Sequence, residues 1–319
     1  MDGGHTHTGP DTGSAPGPDT GSAPGPDTGS APGPDTGSAP GPDTRVEPVP
    51  FAPGSILWDI AGDVRLLLSL PAALVLQVAH PAVGAGVDDH SVFRTDPWGR
   101  AERSLDSLQL WVYGGEQALE EGRRLRRLHR TISGTDTRGR AYHALTPAHY
   151  AWVHATAYPV FLSAAQYLFH PLDETDDRRL YDELLRLGSI LGINRRDMPR
   201  TPQEFWPYFD TMVREELEKT AVVSELLDPR RPIPPPPGAG PFLRRLWPVL
   251  RPPLARLHVF VTTGLLPPAV RDHLGLPWTA RDERRLRRFG TVVRTVVPLL
   301  PERLRYLPRA RAARRAARG

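Results

Sequence analysis

The chain has 319 residues, a formal net charge of +4, a sequence pI near 9.7 and no cysteine. The missing thiols exclude disulfides, thiolate nucleophiles, iron–sulfur clusters and Cys-ligated zinc, so a metal centre here must use histidine, carboxylate or a preformed cofactor. The six aspartates before residue 45 contribute −6 with no base among them, which leaves +10 on residues 45–319, nearly all of it arginine because Lys219 is the only lysine.

Residues 9–44 are four copies of GPDTGSAP and a final GPDT, with no apolar side chain larger than alanine. Nothing in that unit can be buried to offset the entropy of ordering it, so residues 1–44 are expected to be a disordered Pro/Gly-rich tail. Deleting them is expected to leave the melting temperature and any activity nearly unchanged; a marked drop in Tm on truncation would show that the repeats pack on the body. The acidic amino terminus lacks the basic-then-apolar pattern of a secretory signal. The longest apolar run, Leu66 to Ala79, is broken by Pro71 and is shorter than the ~20 residues of a membrane span. A cytoplasmic protein is expected, with a peripheral membrane contact left open.

From Ser55 onward the hydrophobic period is helical, which predicts an all-α fold, a single large helical domain over residues 45–300. Asp96 with Pro97 predicts a helix start and Gly114–Gly115 its stop. A second helix follows, acidic at its start through Glu116, Glu120 and Glu121 and basic at its end through Arg123 to Arg130, as the helix dipole favours. Thr146–Pro147 opens another, and TPQE at Thr201 and TARD at Thr279 read as capping boxes. PIPPPPGAGP, from Pro232 to Pro241, reads as a connector ahead of a smaller carboxy-terminal helical part, and His258–Thr263 as the only strand-like run. Residues 301–319 read as a frayed basic tail, and since the arginines lack interleaved aromatics and any nucleic-acid-binding motif, no nucleic-acid partner is expected.

The functional candidates are histidines and arginines set in apolar segments, where burial costs several kcal/mol unless a partner satisfies them. Ala118, Gly122, Leu125, His129 and Ile132 recur at spacings of 4, 3, 4 and 3, so His129 sits in a core-facing stripe whose small residues leave room for a planar cofactor. A core histidine bonded to a carbonyl fits the same position. Arg100, Arg103 and Ser104 lie one turn apart on a helix that reads as apolar nearly all round, where a buried arginine pair suits an anion such as a propionate. His154 lies between Tyr150 and Tyr158, as a core stack or a support for a site. His80, Asp89 and His90 allow a third reading, a metal hydrolase, without the spacing of an HExxH site.

The series LVLQVAHPAVGAGV, DHSVF, Arg100 with Arg103–Ser104, LHRTISG, AYHALTP, WVHAT, LGINRRDMP and TTGLLPPAVRDHLGLPW resembles the DUF2236 family, the MpaB or rubber oxygenase (latex-clearing protein) catalytic domain, over residues 54–290. The resemblance implies a globin-like core and a haem b-dependent oxygenase acting with dioxygen on a hydrophobic, isoprenoid or lipid, substrate. It implies His129 as the iron ligand (cofactor-binding with Arg100, Ser104 and His154), and Arg100, Arg103, Ser104, His80 and His90 as catalytic or supporting groups. Arg103 and Ser104 stand where the rubber enzymes carry lysine and threonine, and Asp88 and Asp89 where a glutamate base is expected. Arginine does not deprotonate to ligate iron, so a Lys-capped closed form is not expected. The alternative function is a cofactor-free helical binding protein for apolar ligands.

Overall fold

The computed structural model describes residues 51–319, and the repeats lie outside them. Apart from one short hairpin, the regular structure of the described residues is helical. The first helix, α1 (Ile56–Ile60), is held by a distant carboxylate: Glu183 accepts from the amides of Ile56 (3.0 Å) and Leu57 (2.8 Å). This satisfies two of the orphan donors that every helix start presents.

The long apolar run forms a 3-10 turn (Val64–Leu68) and α2 (Leu70–Val78), and α3 (Pro81–His90) follows across a bend of 108° at His80. His80 makes the corner: its Nδ1 accepts from the Ala82 amide at 3.2 Å, and Pro81 starts α3 with its ring already at a helical φ. The freed carbonyls at the end of α2 are taken by the Thr220 hydroxyl (on Val78, 2.9 Å) and the Glu218 amide (on Ala79, 2.9 Å). No single helix among the described residues is long and apolar enough to cross a membrane.

Next come α4 (Pro97–Tyr113), capped by Asp96 on the Gly99 amide, and α5 (Gln117–His129), which pack as a hairpin joined at Gly114 and Gly115. Gly115 has φ +56°, a conformation that costs a side chain strain. Strands β1 (Ser133–Thr135) and β2 (Ala141–His143) form an antiparallel pair with Gly134 opposite Tyr142. Then α6 (Pro147–Ala155), α7 (Ala157–Leu168) and α8 (Glu174–Ile190) lead into α9 (Pro202–Thr211), which ends in a wide turn at Met212–Glu216. Their buried faces meet in an aromatic cluster of Trp152, Tyr158, Tyr181, Phe205 and Phe209, with the Tyr158 and Phe205 rings 4.9 Å apart.

After α10 (Ala221–Leu226), the residues read as strand-like lie instead in α11 (Pro241–Leu265), a helix carrying Pro248, Pro252 and Pro253. Its last turn, Val261 to Leu265, is buried where α11 packs against α2, α7 and α13 (Ala280–Val296), and α12 (Pro268–His273) joins the two long helices. The segment after the proline connector therefore packs into the same helical body. Thr279 and Asp282 form a complete capping box, whereas Thr201 is capped on one side only, because Glu204 reaches the Arg200 amide instead.

The arginine-rich end is not frayed. It forms α14 (Glu302–Arg305) and α15 (Pro308–Ala316), with Ala310 fully buried and the Leu307 amide bonded to the Gly62 carbonyl at 2.8 Å. Arg305 reaches the buried Asp63, Arg309 pairs with Asp106 on α4, and Arg314 lies over the Trp58 ring.

Candidate functional site

Because α4 and α5 pack as a hairpin, the start of one lies beside the end of the other, and Arg100 is close enough to His129 for its charge to act on the imidazole. The Arg100 guanidinium bonds to the Ser104 hydroxyl and, through Nε at 3.3 Å, to Ser91. Burial lowers the Arg100 pKa, with the positive charge of Arg103 adding to the effect. Arg100 borders a cleft of about 120 Å³ with Leu74, Val87, Phe93 and Arg231.

His129 is half-buried, with Nδ1 2.7 Å from the Leu125 carbonyl one turn back. A carbonyl only accepts, so Nδ1 carries the proton, and Nε2 presents a lone pair with no protein partner among the described residues. That is the tautomer a metal-ligating histidine needs, fixed by the bond its other nitrogen makes. Burial pushes the imidazole below its ordinary pKa, opposed by the Leu125 carbonyl and reinforced by the charge of Arg100. The carbonyl bond expected of a core histidine is present on Nδ1, and Nε2 is left without a hydrogen-bond partner among the described residues.

The remaining candidates are placed apart. The first half of α4 is not buried: Ala101, Glu102, Arg103 and Ser104 are exposed, and Arg103 pairs at the surface with Asp96 at 3.1 Å. Periodicity alone made this helix apolar nearly all round, but it buries only the face that carries Ser107, Gln109 and Val112. The small stripe on α5 also has a different purpose. A Cβ on Gly122 would stand 2.2 Å from the Ile190 carbonyl, so the missing side chain admits α8 and leaves no room there for a cofactor.

His154 is buried with Nε2 2.7 Å from the Leu184 carbonyl, tying α6 to α8, and Tyr150 and Tyr158 bond to the Leu191 carbonyl and to Asp177. His80 and His90 sit at opposite ends of α3, on the order of 15 Å apart, and His90 is exposed with Nε2 3.1 Å from the Ser133 carbonyl. Asp88 is paired with Arg94, and Asp89 accepts from the Tyr142 hydroxyl at 3.0 Å. No cluster of three His, Asp or Glu side chains able to hold a metal ion occurs among the described residues, so the His80–Asp89–His90 hydrolase arrangement does not form. Sequence reading missed His149, whose ring lies 4.9 Å from that of His80 and whose buried Nδ1 has no partner among the described residues. Its place beside His80 depends on the β-hairpin and the packing of α3 on α6, which no local pattern announces.

Burial is the first cause that lowers the pKa of His80, His129, His149 and His154, with His80, also facing His149, pushed down to about 4. These rings stay neutral when folded but take up protons near pH 6.5 when unfolded. The unfolded state therefore binds more protons as pH falls from about 6.5 toward 4, and stability present above that window is lost within it. The Tm is expected to fall between about pH 7 and pH 5, and His80→Asn, which keeps a capping oxygen, should flatten the fall. A Tm independent of pH over that range would contradict the buried neutral assignment.

The arrangement among the described residues is that of an all-α protein in which His90, His129 and His154 each bond singly to a backbone carbonyl and His80 accepts from the Ala82 amide. The chain belongs to the family described as ER-bound oxygenase mpaB/B′ and rubber oxygenase catalytic domain, whose model matches residues 58–295. Over 251 residues it is 30% identical to an uncharacterized protein of Mycobacterium tuberculosis and to one of Mycobacterium bovis, covering 73% of this chain and 90% of each relative. No solved structure matches the chain.

Proposed function

We propose that the protein is a haem b-dependent oxygenase that uses dioxygen on a hydrophobic, isoprenoid- or lipid-like substrate. Its membership of an oxygenase family supports the reaction class. The observation that carries the cofactor assignment is the His129 imidazole, fixed through Nδ1 with Nε2 unpartnered beside Arg100. This donor set fits a haem: one free imidazole nitrogen and a guanidinium for a propionate, with Asp88 and Asp89 already committed elsewhere.

In this reading His129 Nε2 holds the iron, Arg100 binds an anionic edge of the group and Ser104 orients the guanidinium. When bound, the haem supplies the activation of dioxygen that no side chain of this protein provides. Leu74, Val87 and Phe93 offer apolar surface beside Arg100 for a hydrocarbon substrate. His80 and His154 support the site through the helix corner and the α6–α8 bond, and Arg103 acts as a surface charge.

The cleft at Arg100 favours a second reading, because about 120 Å³ is below the roughly 300–1,000 Å³ of cofactor pockets. A cofactor-free binder of small apolar ligands would need no more. Metal analysis and an absorption spectrum of the purified protein, taken with and without added hemin, separate the two. The oxygenase reading expects iron and a Soret band; a protein that stays colourless with hemin is the apolar-ligand binder. Arg100→Ala should weaken hemin retention about tenfold, the worth of a charged hydrogen bond, at unchanged helical content. Retention equal to the parent would make Arg100 a structural residue only.

A further inference from the structure

Four of the large apolar side chains left in water belong to α11: Phe242, Val249, Leu254 and Leu257, of which Phe242 is 80% and Val249 69% exposed. At about 100° per residue they fall, with the half-buried Leu243, Leu246 and Leu250, in one sector roughly 140° wide. The buried residues of α11 begin only at Val261, so this apolar sector belongs to the part of the helix that the core does not cover. A continuous stripe of this kind marks an interaction surface.

The charge around it is one-sided. No acidic residue occurs between Asp228 and Asp272, while Arg230, Arg231, Arg244, Arg245, Arg251, Arg256 and Arg271 all do. Arg244 and Arg251 are tied to backbone carbonyls of Ala239, Arg230 and Arg231. Arg245 and Arg256 flank the apolar sector and have no hydrogen-bond or ion-pair partner among the described residues. Arg256 also borders a cleft of about 520 Å³ with Lys219, Phe260 and Trp278. Asp282 on the same wall is engaged by Thr279.

We infer that α11 is an interfacial helix that docks the protein on an anionic lipid surface. Its apolar sector enters the acyl boundary while Arg245, Arg256 and Lys219 meet lipid phosphates, the combination that holds amphipathic helices in the plane of a membrane. A second copy of the chain is a poorer occupant. A two-fold contact through this face would set Arg245 and Arg256 against their own copies, with no acid in the segment to offset them. A nucleic acid would engage the arginines and leave the apolar sector in water. The inference does not depend on the oxygenase reading.

The test is flotation of the full chain with phosphatidylcholine vesicles, with and without phosphatidylglycerol. The protein is expected to float with the anionic vesicles and to be released by salt. Phe242→Ser with Leu257→Ser should abolish flotation at unchanged circular dichroism and Tm, since both side chains are exposed. Arg245→Gln with Arg256→Gln should weaken anionic binding about thirtyfold, from about fivefold per arginine. Three outcomes overturn the inference. One is no flotation with either vesicle, including the case of a dimer that Phe242→Ser converts to monomer. The second is equal binding to neutral and anionic vesicles. The third is binding that survives both α11 variants and is lost on Arg311→Gln with Arg315→Gln in α15.

Discussion

His129→Ala is expected to abolish or shift the Soret band that hemin gives the parent protein, with added imidazole restoring part of it. The reason is the division of labour on the ring: Nδ1 is held by the Leu125 carbonyl, so the group lost is a preoriented Nε2 donor that no neighbouring histidine replaces. Removing it should leave the apoprotein folded. The Leu125 carbonyl keeps its helical bond and alanine favours the helix, so the stability cost stays near the low end of about 1–3 kcal/mol for a half-buried ring and its bond. A His129→Ala variant with the parent's spectrum would place the iron ligand elsewhere. A parent with no Soret band after reconstitution would sink the haem assignment altogether.

Asp63→Ala is expected to have the largest effect on stability. Asp63 is 1% exposed and Arg65 6%, and the carboxylate takes two bonds from the Arg65 guanidinium at 2.7 and 2.8 Å. It also accepts from the Arg65 amide and from Arg305. Removing it leaves a buried guanidinium lying over the Phe169 ring with only a long bond, 3.4 Å, to the Leu168 carbonyl. Breaking a buried pair from one side costs about 3–5 kcal/mol, or a Tm lower by about 10 °C in a body of this size. Adding Arg65→Met should recover much of the loss, because the uncompensated charge goes with it. A single variant as stable as the parent would show that water reaches Arg65.

Helix starts were legible because their signals are local. Asp96–Pro97 and Thr279–Asp282 place the cap, the first-turn proline and the acidic N3 residue within four positions, and the structure uses each as written. His258–Thr263 misled because its β-branched and aromatic residues favour a strand in isolation, while packing against α2, α7 and α13 holds them in a helix. The hairpin β1–β2 was invisible: three-residue strands written SGT and AYH carry no alternation to read.

The site was legible in its residue types and less so in their roles. The spacing found the α5 stripe, but whether a small residue admits a cofactor or a helix is decided by what lies opposite, and at Gly122 that is the Ile190 carbonyl. Arg100 and Arg103 look equivalent along the chain. Only the three-dimensional course of α3 and α4 gives one a place beside Ser91 and Phe93 and leaves the other to Asp96 in solvent.

The docking of α14 and α15 on the beginning of the body has a consequence for the order in which the protein can be made. Asp63 meets Arg305, 242 positions later, and the Trp58 and Asp59 carbonyls meet Arg314. During synthesis from the amino end, at about 5–20 residues per second, the first buried carboxylate emerges long before its last partner. Until α14 and α15 are made, the Trp58 and Asp59 carbonyls lack these partners and Asp63 lacks one of its bonds, and the two helices act as a latch on that segment. Chains that stop short of Arg305 are expected to show a lower Tm than the full chain, since the bonds from Arg305 and Arg314 to the opening segment are lost.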